Sequence, residues 1–422
     1  MIAHQAAAIG TNHRPGRWLG RRLVWAWFLI PPPILVMIVA VPWSLRRPDP
    51  EKVFDEARAE ARAGRYAHAT TLVDALARLR PPLPCDKLLK AQIAGGLNQT
   101  DIAVKALNAI PDDDPLGEVA RLSQGQLEAR RGRLRRAEDA FTKTIARWPR
   151  NTQARKELVY IYSIQHQLNK LDEQLTALEH LGALDQTHLL HWCRVRHDRW
   201  SARADLDALR RYVAADPDDR HSRLSLADAL VRIARYDDAE TVLKACDPAD
   251  VDALVVRVHI AEARDDLPTL DRLLAEVPVE HAELARVRGR LALHRGDPSA
   301  ALEQFQIARK LDPFDRAASS GLATALTMLD RAVEAQPMKE EVRRFDQLGA
   351  LIAKVSASSG QVDSTLAREL GIAFEELGRI AEARAWLKQA IASDPLNREA
   401  HKALFRVEQA TSASLGESRP LK

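Results

Sequence analysis

The chain has 422 residues, 46% apolar and 28% charged, too long for a disulfide-stapled miniprotein and too apolar for wholesale disorder. Its 62 basic and 58 acidic side chains give +4 and a pI near 9.0, a balance that would suit a nucleic-acid binder if the excess lay in the body of the chain. The excess lies elsewhere: six arginines are the only charged residues among the first 47, so the remainder holds 56 basic groups against 58 acidic ones, and nucleic acid is not expected as a partner.

Residues 1–22 read as a basic tail. From Leu23 to Leu45 there are 23 residues without a charge. As a helix rising about 1.5 Å per residue, this run would cross a hydrocarbon core of about 30 Å. Trp18, Trp25 and Trp27 stand toward one end and Trp43 at the other, where amphipathic rings favour the headgroup level. The run is longer than the apolar core of a cleaved signal peptide, so an uncleaved transmembrane anchor over 23–45 is expected, kinked at Pro31, Pro32 and Pro33. Four arginines and no acid precede it, which favours a cytoplasmic tail. The expected location is the inner (cytoplasmic) membrane, with the remaining chain on the extracytoplasmic side.

Beyond the anchor, punctuation residues keep a clock. Pro81, Pro115 and Pro149 are 34 apart, and Pro217 follows after 68; Gly64 and Gly132 are also 68 apart. Pro217 to Pro313 (96) and Gly132 to Gly296 (164) agree on one unit six residues short. Pro313 to Pro395 and Gly296 to Gly378 (both 82) agree on one unit fourteen residues long. The units are 50–83, 84–117, 118–151, 152–185, 186–219, 220–253, 254–281, 282–315, 316–363 and 364–397. In each, apolar residues recur at helical spacing in two runs broken near the middle, which predicts a helical hairpin.

In the last unit Leu370, Gly371, Phe374, Gly378, Ala383, Leu387, Ala390 and Pro395 fall at set places. Gly289, Gly296, Ala301, Phe305, Ala308 and Pro313 repeat the pattern in 282–315, as do Gly125, Gly132, Ala137, Phe141 and Pro149 in 118–151. These residues resemble the tetratricopeptide repeat, a 34-residue helix–turn–helix unit. The resemblance implies an all-α fold: a right-handed α-α superhelix of about ten hairpins, here preceded by one transmembrane helix. Departures mark irregular places. Unit 152–185 has Leu171 and Ala183 where the pattern wants alanine and proline, and 186–219 puts Trp192, Cys193 and Asp205 at core positions. The deficit around Pro268 should shorten a second helix, and the insertion should add a helix near Lys339–Ser356. Residues 398–411 read as a capping helix and 412–422 as a disordered tail.

Chemistry is not apparent. Cys85, Cys193 and Cys246 form no C-x-x-C pair, and His188/His191 and Cys193/His197 point to different sides of one helix, so no metal site is expected. Phosphate-loop, dinucleotide, zinc-protease and esterase motifs are missing, so no catalytic residue, cofactor or small-molecule substrate is expected. The basic stretch Arg130, Arg131, Arg133, Arg135 and Arg136 spans a turn between helices and has Glu128, Glu138 and Asp139 beside it.

By resemblance, partners would bind a concave groove lined by the first helix of each unit. The groove-facing places hold Lys156 and Tyr160, then His191, Arg194 and His197, then His221, and later Arg286 and Arg290. Lys156 to His221 is the stretch expected to contact an extended or acidic protein segment. The expected function is a membrane-anchored, non-enzymatic scaffold for protein–protein interactions at the cell envelope. The rival is an accessory subunit of cytochrome or envelope biogenesis or secretion that holds one specific protein.

Overall fold

The computed structural model describes residues 48–196, 202–276, 280–357 and 362–417. The basic tail, the 23–45 segment, His197 and residues 418–422 lie outside the described residues. Among those described, no helix is long and apolar enough to cross a membrane.

The described residues form 21 helices and no strand. They are α1 Pro50–Arg62, α2 Tyr66–Leu79, α3 Pro84–Gly96, α4 Thr100–Asn108, α5 Gly117–Arg130, α6 Leu134–Arg147, α7 Thr152–Ile164, α8 Leu168–His180, α9 Gln186–Arg196 and α10 Ala202–Ala215. There follow α11 Arg220–Arg232, α12 Tyr236–Leu243, α13 Val251–Ala263, α14 Leu267–Glu276, α15 Ala282–His294, α16 Pro298–Leu311, α17 Arg316–Met328, α18 Ala332–Ala357, α19 Ser364–Glu376, α20 Ile380–Ser393 and α21 Arg398–Glu417. Paired helices pack on each other and on the next pair, as in a solenoid.

The hairpins start and turn for local reasons. Asp49, Asn151, Asp219, Asp250, Asp315 and Asp363 each precede a helix and accept a hydrogen bond from a backbone N–H of its first turn. The first helix ends where one residue takes the left-handed conformation: Gly64 (φ 75°), Gly132 (77°), Gly296 (74°) and Gly378 (73°). Elsewhere Asn98, His166, Ala234, Asp265 and Asp330 do this with a side chain attached.

Those turn residues correct the register of the short region. Ala234, Asp265 and Gly296 are each 31 apart, so the six-residue deficit does not fall on 254–281 alone. It is shared as three and three, leaving an eight-residue α12 and a ten-residue α14. The insertion is also absorbed differently from the expectation of an added helix near Lys339–Ser356. It lengthens the unit's second helix into the single 26-residue α18, whose far end buries Phe345, Leu348, Ile352 and Val355. A stripe at three- and four-residue spacing can continue one helix as readily as start another, and no turn residue interrupts this one. The capping helix runs on to Glu417, past the expected end at 411.

The unit 186–219 is where the stack changes course. Helix α9 packs on α8, α18 and α20, whereas α10 packs on α11. Leu189, Trp192 and Cys193 of α9 are buried in an apolar cluster that joins residues 134–260 to residues 348–407. Glu179 of α8, 3% exposed, receives Nη2 of Arg384 at 2.8 Å and Nζ of Lys388 at 2.6 Å, both on α20. The last unit is thereby docked on the fourth.

Candidate functional site

The groove residues named from the sequence sit on four helices, and most are bonded within the chain. On α7, Lys156 Nζ lies 3.6 Å from Asp185, which also accepts from the His188 ring at 2.6 Å. One turn on, the Tyr160 hydroxyl is 2.6 Å from that of Tyr212 on α10. Burial and this contact push the Tyr160 phenol above its ordinary range. The end of α10 is fixed in the same place by Arg135, which donates to Asp216 at 3.2 Å, and by Gly132, where a Cβ would stand 3.1 Å from Ala215. Thus Tyr212 of α10 engages the Tyr160 hydroxyl, while the Tyr160 side chain stays 45% exposed.

His221 on α11 is half-buried, and burial, with Arg220 and Lys170 nearby, lowers its pKa. It is therefore neutral at pH 7 and offers no charge to an acidic segment. On α15, Arg286 pairs with Glu283 and with Asp315 (3.1 Å), and Arg290 makes two bonds of 2.8 Å to Glu262. His191 lies half-buried on α9, and Arg194 follows on the same helix. The basic turn is likewise engaged: Arg131 reaches Asp101 at 2.7 Å and Arg133 reaches Glu128 at 3.7 Å.

An open site lies elsewhere, between α17 and α18. It is a cavity of about 420 Å³ lined by Ser320, Ala323, Thr324, Thr327 and Met328 of α17 and by Lys339 and Val342 of α18. The hydroxyls of Thr324 and Thr327 donate to the carbonyls of Ser320 and Ala323, which turns their methyl groups outward. Met328 is 50% exposed. Groove positions alone do not single out this place. A comparison of equivalent positions does: the twenty-fourth residue of every other unit, the short one counted from the start of α13 at Val251, is the buried apolar Val73, Leu107, Phe141, Leu175, Leu209, Leu243, Leu274, Phe305 or Leu387, and here it is the exposed Lys339. A second cavity of about 420 Å³, near α12–α14, is rimmed by charges that the chain itself pairs, such as Arg264 with Asp237 and Arg272 with Glu276.

The tetratricopeptide repeat model matches residues 88–152, 122–178, 267–316, 286–348 and 346–398, together more than half of the chain. The chain belongs to the tetratricopeptide repeat family. No curated protein matches it. Similar solved structures include yeast Tom70, at 14% identity and TM-score 0.31 over 91% of this chain and 93% of that one. The C-terminal part of a tetratricopeptide repeat protein from Cytophaga hutchinsonii is 13% identical, with TM-score 0.29, over 64% of this chain and 99% of that one. YrrB, described as a tetratricopeptide repeat protein with an unusual peptide-binding site, is 15% identical, with TM-score 0.21, over 51% and 97%.

Proposed function

We propose that this protein is a scaffold, without catalytic activity of its own, that binds other proteins along its tetratricopeptide array and is held beside a membrane by residues 23–45. The observation that carries the reading is the continuity of the hairpins: the described residues from Pro50 to Ser393 all belong to the array or its turns, and its polar side chains are largely spent on one another. A solenoid of this kind offers long surfaces rather than an enclosed pocket that could shift a catalytic pKa. The uncharged run Leu23–Leu45 supports an inner-membrane anchor, and the arginines before it support an extracytoplasmic array.

Crosslinking in intact membranes, followed by purification of the full chain and mass spectrometry, tests the scaffold. Recovery of specific proteins attached to residues 50–397 is expected, and an array that captures nothing beyond a control membrane protein would refute the reading. For the anchor, a chain lacking residues 1–47 is expected in the soluble fraction, and protease is expected to reach the array once the outer barrier is opened with the inner membrane intact. Digestion only after the inner membrane is breached would reverse the topology.

A further inference from the structure

Nine units of the array bury an apolar side chain at their twenty-fourth place, and in several it wedges neighbouring helices apart. Phe305 shows how: its ring lies against Gly289 of its own first helix and Gly321 of the next, so close that a Cβ at either would overlap it. The long unit lacks both parts of this arrangement. Its wedge position holds Lys339, and α18, with 26 residues against the 14 of α16 and α20, is twelve residues or about 18 Å longer before the chain turns to α19. Helix α19 packs on α18, and the packing partners of α17 are α15, α16 and α18. What remains is the methyl-lined cavity on α17, with the Lys339 ammonium at its rim making no ion pair among the described residues.

We infer that this cavity is a docking site for a helix of a partner protein, which inserts a leucine or phenylalanine where the missing wedge would be and places an aspartate or glutamate against Lys339. The proposal rests on the scaffold reading and names the chemistry of one of its partners. The fold itself specifies the occupant. In the preceding unit this gap is filled by Phe305 and covered by α17, and a helix laid into a groove needs such an anchor. The cavity is larger than one side chain, which leaves room for part of the helix that carries it. The unpaired cation sets the sign of the neighbouring residue.

The probe is a stapled helical peptide with the sequence of α16, Pro298–Leu311, which carries Phe305, and with Arg309→Glu so that a carboxylate stands one turn from the ring on the same face. Its binding to the full chain is followed by fluorescence anisotropy, beside the same peptide with Phe305→Ala. The phenylalanine peptide is expected to bind at least tenfold more tightly. Lys339→Leu, which supplies the wedge from within, and Thr324→Arg, which blocks the cavity from an exposed position, should each remove the difference. Equal binding of the two peptides, no binding of either, or discrimination that survives both variants would overturn the proposal. Two further outcomes reassign the cavity and overturn it as well. One is a concentration-dependent dimer that Lys339→Leu abolishes, which gives the place to a second copy; the other is a tenfold gain in peptide affinity on removing residues 1–47, which gives it to the chain's own N-terminal segment. A set of crosslinked partners from which neither Lys339→Leu nor Thr324→Arg removes any member would leave the scaffold standing while this site fell.

Discussion

Phe305 and the glycines above and below it show how single residues set the spacing of the array. The ring is 1% exposed, and Gly289 and Gly321 have no side chain because the ring fills that space. Phe305→Ala should cost about 3–5 kcal/mol through the cavity it leaves, and Gly321→Val about 1–3 kcal/mol through overpacking, both measured by urea denaturation. If Gly321→Val proved neutral, the close approach would not be needed for stability. A second residue-scale prediction concerns acid. Burial would raise the Glu283 carboxyl, but a hydrogen bond to His259 and the charges of Arg286, His259 and Arg290 outweigh it and lower the pKa to about 2. A carboxylate depressed on folding stabilises the protein above its unfolded pKa of about 4.3, and that stability is lost as pH falls through the folded value. Glu283→Gln should therefore flatten the stability profile between about pH 5 and pH 2 relative to the parent chain, and an unchanged profile would show that the carboxylate makes no such contribution. Residues of this kind were legible in the sequence because glycine and phenylalanine recur at fixed places. Lys339 was equally legible as an exception to the wedge, but it becomes noticeable only when equivalent positions of all units are compared.

At the scale of the helix, the repeat period predicts where pairs form but not how a change of length is absorbed. Proline and glycine spacings gave the size of the deficit correctly, yet they could not say that α12 and α14 share it, because the turn residues that reveal the division are Ala234 and Asp265 rather than glycines. The insertion is absorbed in one continuous helix. Pro337 stands inside α18 and the helix passes through it, since the surrounding packing, including buried Ala335 and Phe345, outweighs the lost hydrogen bond. Pro337 is exposed and sits in the second turn, so Pro337→Ala should restore a backbone bond and stabilise the chain by about 1–3 kcal/mol. Thermal unfolding would show this as a higher midpoint. A fall instead would mean that the proline sets a bend on which the packing of α18 against α9 and α19 depends.

Across the whole molecule, the feature that sequence periodicity could not supply is the contact between the fourth and last units. Each repeat specifies its neighbours, but nothing in a 34-residue period encodes a meeting of residues 205 positions apart, such as Glu179 and Arg384. The signal that existed was the irregular composition of 186–219, whose Trp192 and Cys193 now belong to the apolar cluster shared with residues 348–407. The hydroxyl contact between Tyr160 and Tyr212 belongs to the same irregular stretch: α9 packs on α18 and α20, and α10 packs on α11 and reaches α7 through that contact. Glu179 is the charged centre of this closure. Burial alone would raise its pKa, but hydrogen bonds from Lys388 and Arg384 lower it, so the carboxylate stays ionised between them. Glu179→Ala leaves the half-buried Arg384 without its partner and should cost about 3 kcal/mol, toward the lower end for a broken buried pair because Arg384 and Lys388 both keep contact with water. Because the apolar cluster spans the same contact, the substitution should loosen the closure rather than abolish it. Small-angle scattering should report a larger radius of gyration for Glu179→Arg than for Glu179→Ala, and larger for Glu179→Ala than for the parent chain. A double-mutant cycle between Glu179→Ala and Arg384→Ala should show a coupling of about 0.5–3 kcal/mol. Identical scattering curves together with zero coupling would mean that the apolar cluster alone holds the two units together.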